Sequence, residues 1–324
     1  MFRSAFLIAL ALFGIWTVSC PVAQAQPAGQ PIRLIFPFVA GGTGDALARI
    51  IAERMQSVMG QPVVVDNRAG ATGQIGTLAV KNAAPDGTTL LITPGGPMTL
   101  VPHYNPSLGY DTETDFAPVS HIVTFDFAIA VNSEVPAKTL KELADWLRAH
   151  PEKATYAHPG SGTSQHFFGI LFGRTLGIDF IPVAYRGSAA ALNDVIGGQI
   201  PVLFSLTSDV IEQHRAGRIR VLATSDRVRS RYFPDIPTFQ ESGFDVQGTG
   251  WYGIYAPAKT PAPIIARLNK VIAEAVHSPD VVGKLDAMGF KPTGTSPSEL
   301  AEIQKTESAF WGPVVKASGF KLEQ

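Results

Sequence analysis

The sequence predicts an α/β fold in two lobes, each a doubly wound sheet flanked by helices. Three observations predict it. Short, β-branched apolar runs alternate with amphipathic helical stretches along the chain. Small-residue turns join the runs to the helices. These turns fall into two pairs, 40–45 with 70–73 and 160–164 with 187–189, so the two halves repeat one design.

The chain opens with an export signal over residues 1–25. Arg3 is the only charge before Arg33, and residues 5–19 form an apolar stretch too short for a membrane span. Ala23-Gln24-Ala25 is a small-x-small cleavage site, so cleavage is expected after Ala25. Lipidation at Cys20 is the competing reading, with Thr17-Val18-Ser19 a poor lead-in to it. Cys20 is the only cysteine, so cleavage at Ala25 leaves a mature chain without thiol chemistry or disulfides. The expected compartment is the periplasm. A net charge of −1 over 324 residues gives no nucleic-acid footprint.

Ile32–Phe36 reads as a buried strand. Ala46, Leu47, Ile50, Ile51, Met55 and Val58 follow at helical spacing, Gly60 ends that helix, and 62–66 is a second strand. The turn at 40–45 therefore places backbone N–H groups at a helix start, where an anion can sit. A second glycine-rich helix start follows at 69–73. Residues 89–93 form a strand that Pro94-Gly95-Gly96-Pro97 breaks. Residues 102–118 read as loop or short helix, and 119–123 and 127–131 as two strands. Further on, 136–149 is a helix and Thr155–His158 a strand. The turn 160–164 opens a helix carrying Phe167, Phe168, Leu171 and Phe172. Then come strands at 181–185 and 200–204 around a helix ending near Ile196. Ile219–Thr224 is a strand that returns the chain to the first lobe, 251–256 is another strand, and three helices close the chain. Lobe 1 is assigned to 26–123 with 225–324, and lobe 2 to 124–224.

The first turn has the outline of a dinucleotide site, because Gly42-Thr43-Gly44 opens a helix and Asp66 ends the next strand. Leu47 occupies the third glycine position, where helix–strand packing needs a small residue. No GxSxG, HExxH, P-loop or EF-hand pattern occurs. His158 and His166 flank one turn and could bind a metal, but a helix-start histidine and a partly buried one is the plainer reading. Four small-residue turns at the carboxyl ends of strands, converging on one cleft, would hold a carboxylate through helix dipoles and backbone N–H groups with few basic side chains.

The runs PFVAGGTGDALAR, NRAGATGQIGT, GSGTSQHFFGILF, AYRGSAAALNDVIGGQIPVLF and GWYGIYAPAKTP, spread over about 30–320, resemble the tripartite tricarboxylate transporter receptor family, also called the Bug or TctC family. The resemblance implies a periplasmic solute-binding protein with a type II-like Venus-flytrap fold. It would close about a hinge on a small di- or tricarboxylate, an aromatic dicarboxylate among them. It would pass the ligand to a membrane permease of one small and one large integral subunit. No catalytic residue, metal or cofactor is implied, and the receptor would be a monomer. A sensory receptor for a two-component system and a secreted α/β enzyme acting on a carboxylate are the alternatives.

By that resemblance Gly41, Gly42 and Thr43 with Asp45 contact or order one carboxylate. Ala71, Thr72 and Gly73 add N–H groups and a hydroxyl, and Ser161, Thr163 and Ser164 approach from the second lobe. Tyr185 and Gly187 belong to the second-lobe turn, and Phe204 lines the cleft. Asp45 could equally be a helix-capping residue, and Asp194 reads as structural. The chain departs from the family pattern with His158, where a small residue is usual, and Arg186, where Lys is common. Arg can grip a carboxylate bidentately, so a second ligand carboxylate is expected near His158 or Arg186. Phe36, Phe38, Phe125, Phe127 and Phe168 would supply aromatic surface near the cleft or belong to the core.

Overall fold

The computed structural model describes residues 29–321. The export signal, Cys20 and the cleavage site after Ala25 lie outside the described residues. In chain order the elements are β1 (Ile32–Phe36), α1 (Thr43–Met59), β2 (Val63–Asn67), α2 (Gln74–Lys81) and β3 (Thr89–Pro94). The short helices α3 (Gly96–Thr99) and α4 (Val101–Tyr104) follow, then β4 (Phe116–Asn132) and α5 (Leu140–Ala149). Next come β5 (Thr155–His158), α6 (Ser164–Leu176), β6 (Ile181–Ala184), α7 (Ser188–Ile196), β7 (Val202–Leu206), α8 (Thr207–Arg215) and β8 (Ile219–Thr224). The chain ends through β9 (Thr249–Pro257), α9 (Ala262–His277), α10 (Pro279–Ala287), β10 (Lys291–Pro292) and α11 (Pro297–Ser318).

The first half is a βαβαβ unit. β2, β1 and β3 lie side by side and parallel, as their crossover helices require. α1 buries Leu47, Ala48, Ile51, Ala52 and Met55 at helical spacing, and Gly60 ends it in the left-handed conformation, φ 63°. β9 then adds antiparallel to β3. The second half repeats the motif with β6, β5 and β7 in parallel, joined by α6 and α7.

One strand links the two sheets. β4 is 17 residues long. Its first part, Phe116 to Asp126, pairs antiparallel with β9, and β10 pairs at Val123 and Thr124. From Phe127 onward its partners are β7 and β8. The sequence expectation of two separate strands at 119–123 and 127–131 is therefore corrected to a single element. The polar residues Thr124 and Asp126 interrupt the apolar run because the strand changes partners there, and chain direction does not change. Asp126 is buried and paired with Lys291 of β10 at 3.0 Å, and Lys291 also binds Asp226 just beyond β8 at 2.8 Å. That ion triad joins both chain crossings between the halves. α8 was not anticipated from the sequence.

α11 starts at a capping box, Ser296 with Glu299. Its far end reaches the second half, where Trp311 meets Phe168 edge-on at 5.2 Å. Phe320, just past the helix, packs on Tyr104, His166 and Phe167. No helix among the described residues is long and apolar enough to cross a membrane.

Candidate functional site

Three uncrowded helix starts and one strand end meet between the halves. At the first, Gly42 is the N-cap of α1 in extended conformation, with no side chain capping the helix. The first N–H groups of α1 are thus open to an external acceptor. Asp45 explains why the turn keeps its shape. Its carboxylate is buried and accepts from the Gly41 N–H at 3.0 Å, from Arg49 Nε at 3.0 Å and from Asn67 Nδ2 at 2.9 Å. Burial pushes its pKa up, but the Gly41, Arg49 and Asn67 hydrogen bonds outweigh that and leave it below the ordinary carboxylate value.

The second start is strained. Gly70, Ala71, Thr72 and Gly73 all have positive φ, and Ala71 (46°) and Thr72 (54°) are the only non-glycine residues of that kind among the described residues. Left-handed backbone costs a non-glycine residue about 1–2 kcal/mol. Such strain concentrates at functional sites. Gly73 caps α2 without a side-chain bond. Beside it lies the end of β3, where a Cβ on Gly95 would come 2.6 Å from the Trp251 indole.

The third start is held by neutral rings. Thr163 caps α6, accepting from the His166 N–H at 3.4 Å and donating to Gly160 O at 2.7 Å. Gly162, at φ 76°, donates to His166 Nδ1 at 3.1 Å and accepts from the Tyr104 hydroxyl at 3.3 Å. His158 and His166 stack at 4.7 Å between ring centroids. Burial lowers both pKa values to about 4, and the neighbouring His166 adds to the effect on His158. Both rings are therefore neutral at pH 7.

A cavity of about 320 Å³ lies between these turns. The first half lines it with Phe36, Phe38, Gly42, Thr72, Gly95 and Trp251, and the second with Phe127, Thr163, Ser164, Gln165 and Leu206. Among the described residues Glu307 is the only charged side chain lining it.

Of the residues expected at the site, Phe38, Gly42, Thr72, Thr163 and Ser164 line this cavity. Gly41, Thr43, Asp45, Ala71, Gly73 and Ser161 stand in the same turns without lining it. His158 is fully buried, with Nδ1 2.9 Å from Gly160 O, and supports its turn from beneath. Phe204 lies in the core, stacked on Phe239 at 6.2 Å and edge-on to Tyr156. The Tyr185 hydroxyl donates to Asp194 at 2.8 Å, and Arg186 and Gly187 are exposed beside it. The Gly187 N–H donates to Pro159 O at 3.0 Å, so this turn is tied to the 160–164 turn although it does not reach the cavity.

Sequence reasoning did not assign Gln165, Leu206, Trp251, Tyr252 or Glu307. Pro94–Pro97 was read only as a strand break, although it is a further small-residue turn at a strand's carboxyl end and so carried the same signal as the others. Phe36, Phe125 and Phe127 line the cavity with Phe38, and Phe168 belongs to the core.

The fold and this cleft define a two-lobed binding protein of the periplasmic-binding-protein class. The chain belongs to the tripartite tricarboxylate transporter receptor family, whose profile matches residues 47–320. It is 33% identical over 320 residues to Protein BugT of Bordetella pertussis, covering 97% of this chain and 98% of the relative. Among solved structures it is similar to Rpa4515 of R. palustris with adipate, at 31% identity and TM-score 0.81, covering 89% and 97% of the two chains. It is also similar to MatC of Rhodopseudomonas palustris with bound malate, at 30% identity and TM-score 0.77, covering 88% and 98%.

Proposed function

We propose that the protein is a periplasmic solute-binding receptor that captures a small dicarboxylate by closing its two halves, and passes it to a membrane permease of one small and one large subunit. The observation that carries this reading is the convergence of the α1, α2 and α6 N-termini, from both halves, on one largely apolar cavity. Helix N-termini favour an anion without a lysine or arginine in contact. Adipate and malate, the ligands in the two similar structures, are both dicarboxylates.

In this reading the N–H groups of Thr43 and Ser164 and the hydroxyls of Thr72 and Ser164 hold one carboxylate, while the Gly73 N–H and the Thr163 hydroxyl stay bonded to Gly70 O and Gly160 O and shape their turns. The apolar wall of Phe36, Phe38, Phe125 and Phe127 takes the ligand's carbon chain or ring. The hinge is the point in β4 where partners change, between Asp126 and Phe127, so the lobe boundary expected at 123/124 is drawn at 126/127, with the chain up to Asp126 plus 225–324 on one side and 127–224 on the other. Closure brings Tyr185, Arg186 and Gly187 over the cavity, and Arg186 supplies a cation to the far carboxylate. His158 holds the second-half turn in place and does not touch the ligand. Contacts from both halves favour the closed state, so affinity and closure form one linked equilibrium. The receptor captures its ligand and does not transform it, and it acts as a monomer.

A thermal-shift screen at pH 7 over malate, adipate, phthalate, citrate and acetate tests the reading. A dicarboxylate at a hundred times its dissociation constant should stabilise the folded state by about 2.7 kcal/mol. Stabilisation by citrate or acetate alone would refute the dicarboxylate assignment.

A further inference from the structure

The wall of the proposed anion site carries an anion of its own. Glu307, on α11, lines the cleft cavity and also a second cavity of about 490 Å³ behind it, so its carboxyl stands in the partition between them. Two indoles hold it there. Trp251 Nε1 donates to one oxygen, and Trp311 Nε1 donates to the other at 3.2 Å. Neither donor is charged, and among the described residues no Lys, Arg or His lines the cleft cavity. A ligand carboxylate entering this space meets a second negative charge across low-dielectric walls, and two like charges sharing such a site disfavour each other's ionised form.

Resting on the reading above, we infer that Glu307 takes up one proton when a carboxylate ligand enters the cleft and gives it back when the ligand leaves. Solvent supplies the proton, it binds a carboxylate oxygen of Glu307, and no other covalent bond is made or broken. Capture is thereby linked to pH, and release is favoured where the surroundings are alkaline.

The ligand-free group is already poised for this. Burial among apolar groups raises its pKa to about 7, against the lowering effect of the Trp251, Trp311 and Thr99 hydrogen bonds. The other ionisable groups around it do not substitute for it. Tyr255 of β9 is buried and its pKa lies well above 10. Asp226, Arg227 and Glu302 face Glu307 only across the rear cavity, and Asp226 is paired with Lys291. His103 of α4 is exposed and meets Ser308, the next residue on α11, at 2.9 Å.

The sign follows from linkage. The bound-state pKa lies above the free-state value, so full affinity is present below about pH 7 and is lost as pH rises toward the bound-state value, by up to about tenfold per pH unit.

The test is isothermal calorimetry of the full mature chain with adipate and with malate, at pH 6, 7 and 8, in buffers of different ionisation enthalpy. The expected result for the ligand that binds is uptake of about half a proton at pH 7, approaching one at pH 8 and near zero at pH 6. Glu307→Gln should abolish the uptake and flatten the affinity between pH 7 and 8, and His103→Gln should change neither. An enthalpy independent of buffer in wild type, or uptake that persists in Glu307→Gln, overturns the inference and leaves the receptor reading standing. Failure of adipate, malate and also phthalate to bind wild type overturns both.

Discussion

The turn at 40–45 and the turn at 158–166 present the same helix-start geometry to one cavity, yet they are held by opposite means. The first is fixed by charge. Asp45 gathers the Gly41 N–H, Arg49 and Asn67, and half of the Arg49 side chain faces solvent. The second is fixed by neutral buried rings. His158 stacks on His166, and Tyr104 and Phe320 from the other half press on Gly162 and His166. A charge-held turn can be built from one sequence neighbourhood, because Asp45 and Arg49 lie one helical turn apart. A ring-held turn is assembled from 58 and 154 residues away. The second turn is therefore anchored to the first half even though its helix belongs to the other sheet.

This contrast separates the two turns on the pH axis, and that is the largest expected effect. His158 and His166 are neutral when folded, with pKa values near 4 against an ordinary 6.5. Their contribution is fully present above pH 6.5 and is lost as pH falls from 6.5 to about 4. His121, lowered to about 4 by burial in β4, adds to it. The combined loss is on the order of several kcal/mol. Asp45, depressed below 3.8, keeps its contribution throughout that window and loses it only at lower pH. Urea unfolding at pH 7 and pH 4.5 should show the loss, and His166→Gln should shrink it. Equal stability at the two pH values would mean that the rings do not hold the second turn.

Glycine substitutions sharpen the same contrast. Gly162 and Gly41 both have positive φ, at 76° and 91°. A Cβ on Gly162 would come 2.6 Å from the Tyr104 hydroxyl, and a Cβ on Gly41 would meet nothing within 4 Å. Gly162→Ala should therefore cost about 3 kcal/mol, backbone strain plus displacement of a buried ring. Asp45→Ala should cost about 2 kcal/mol, since it leaves the Gly41 N–H and Asn67 without their acceptor. It should also weaken ligand affinity. Gly41→Ala should cost only about 1 kcal/mol, the backbone part alone. Urea midpoints at constant m-value rank the three. A Gly41→Ala penalty equal to that of Gly162→Ala would break the distinction.

Much of the fold was legible because its strands carry unbroken local patterns. Ile32–Phe36, Thr155–His158 and Ile219–Thr224 follow the apolar runs residue for residue. β4 reads as two strands from the sequence because Thr124 and Asp126 interrupt its apolar run, and Lys291, the partner of Asp126, lies 165 residues away. The turns around the cavity are visible as glycine and small-residue punctuation, since positive φ leaves a compositional mark. The side chains around them were less so. His158 looked like a ligand contact because its stacking partner and its burial depend on how α6 folds back over β5. Phe204 looked like cleft lining, but a strand end shows only alternation and not which face meets Phe239. Glu307 was invisible, because nothing within an amphipathic helix marks which glutamate will be met by an indole from β9.

The proposed capture needs both halves to grip the same ligand carboxylate. Calorimetry of a binding dicarboxylate at pH 6.5 with Thr72→Val, from the first half, and Ser164→Ala, from the second, tests it most directly. Affinity should fall about tenfold in each, roughly the value of one hydrogen bond to a charged group, with unfolding midpoints close to wild type. Unchanged affinity in both variants would contradict it.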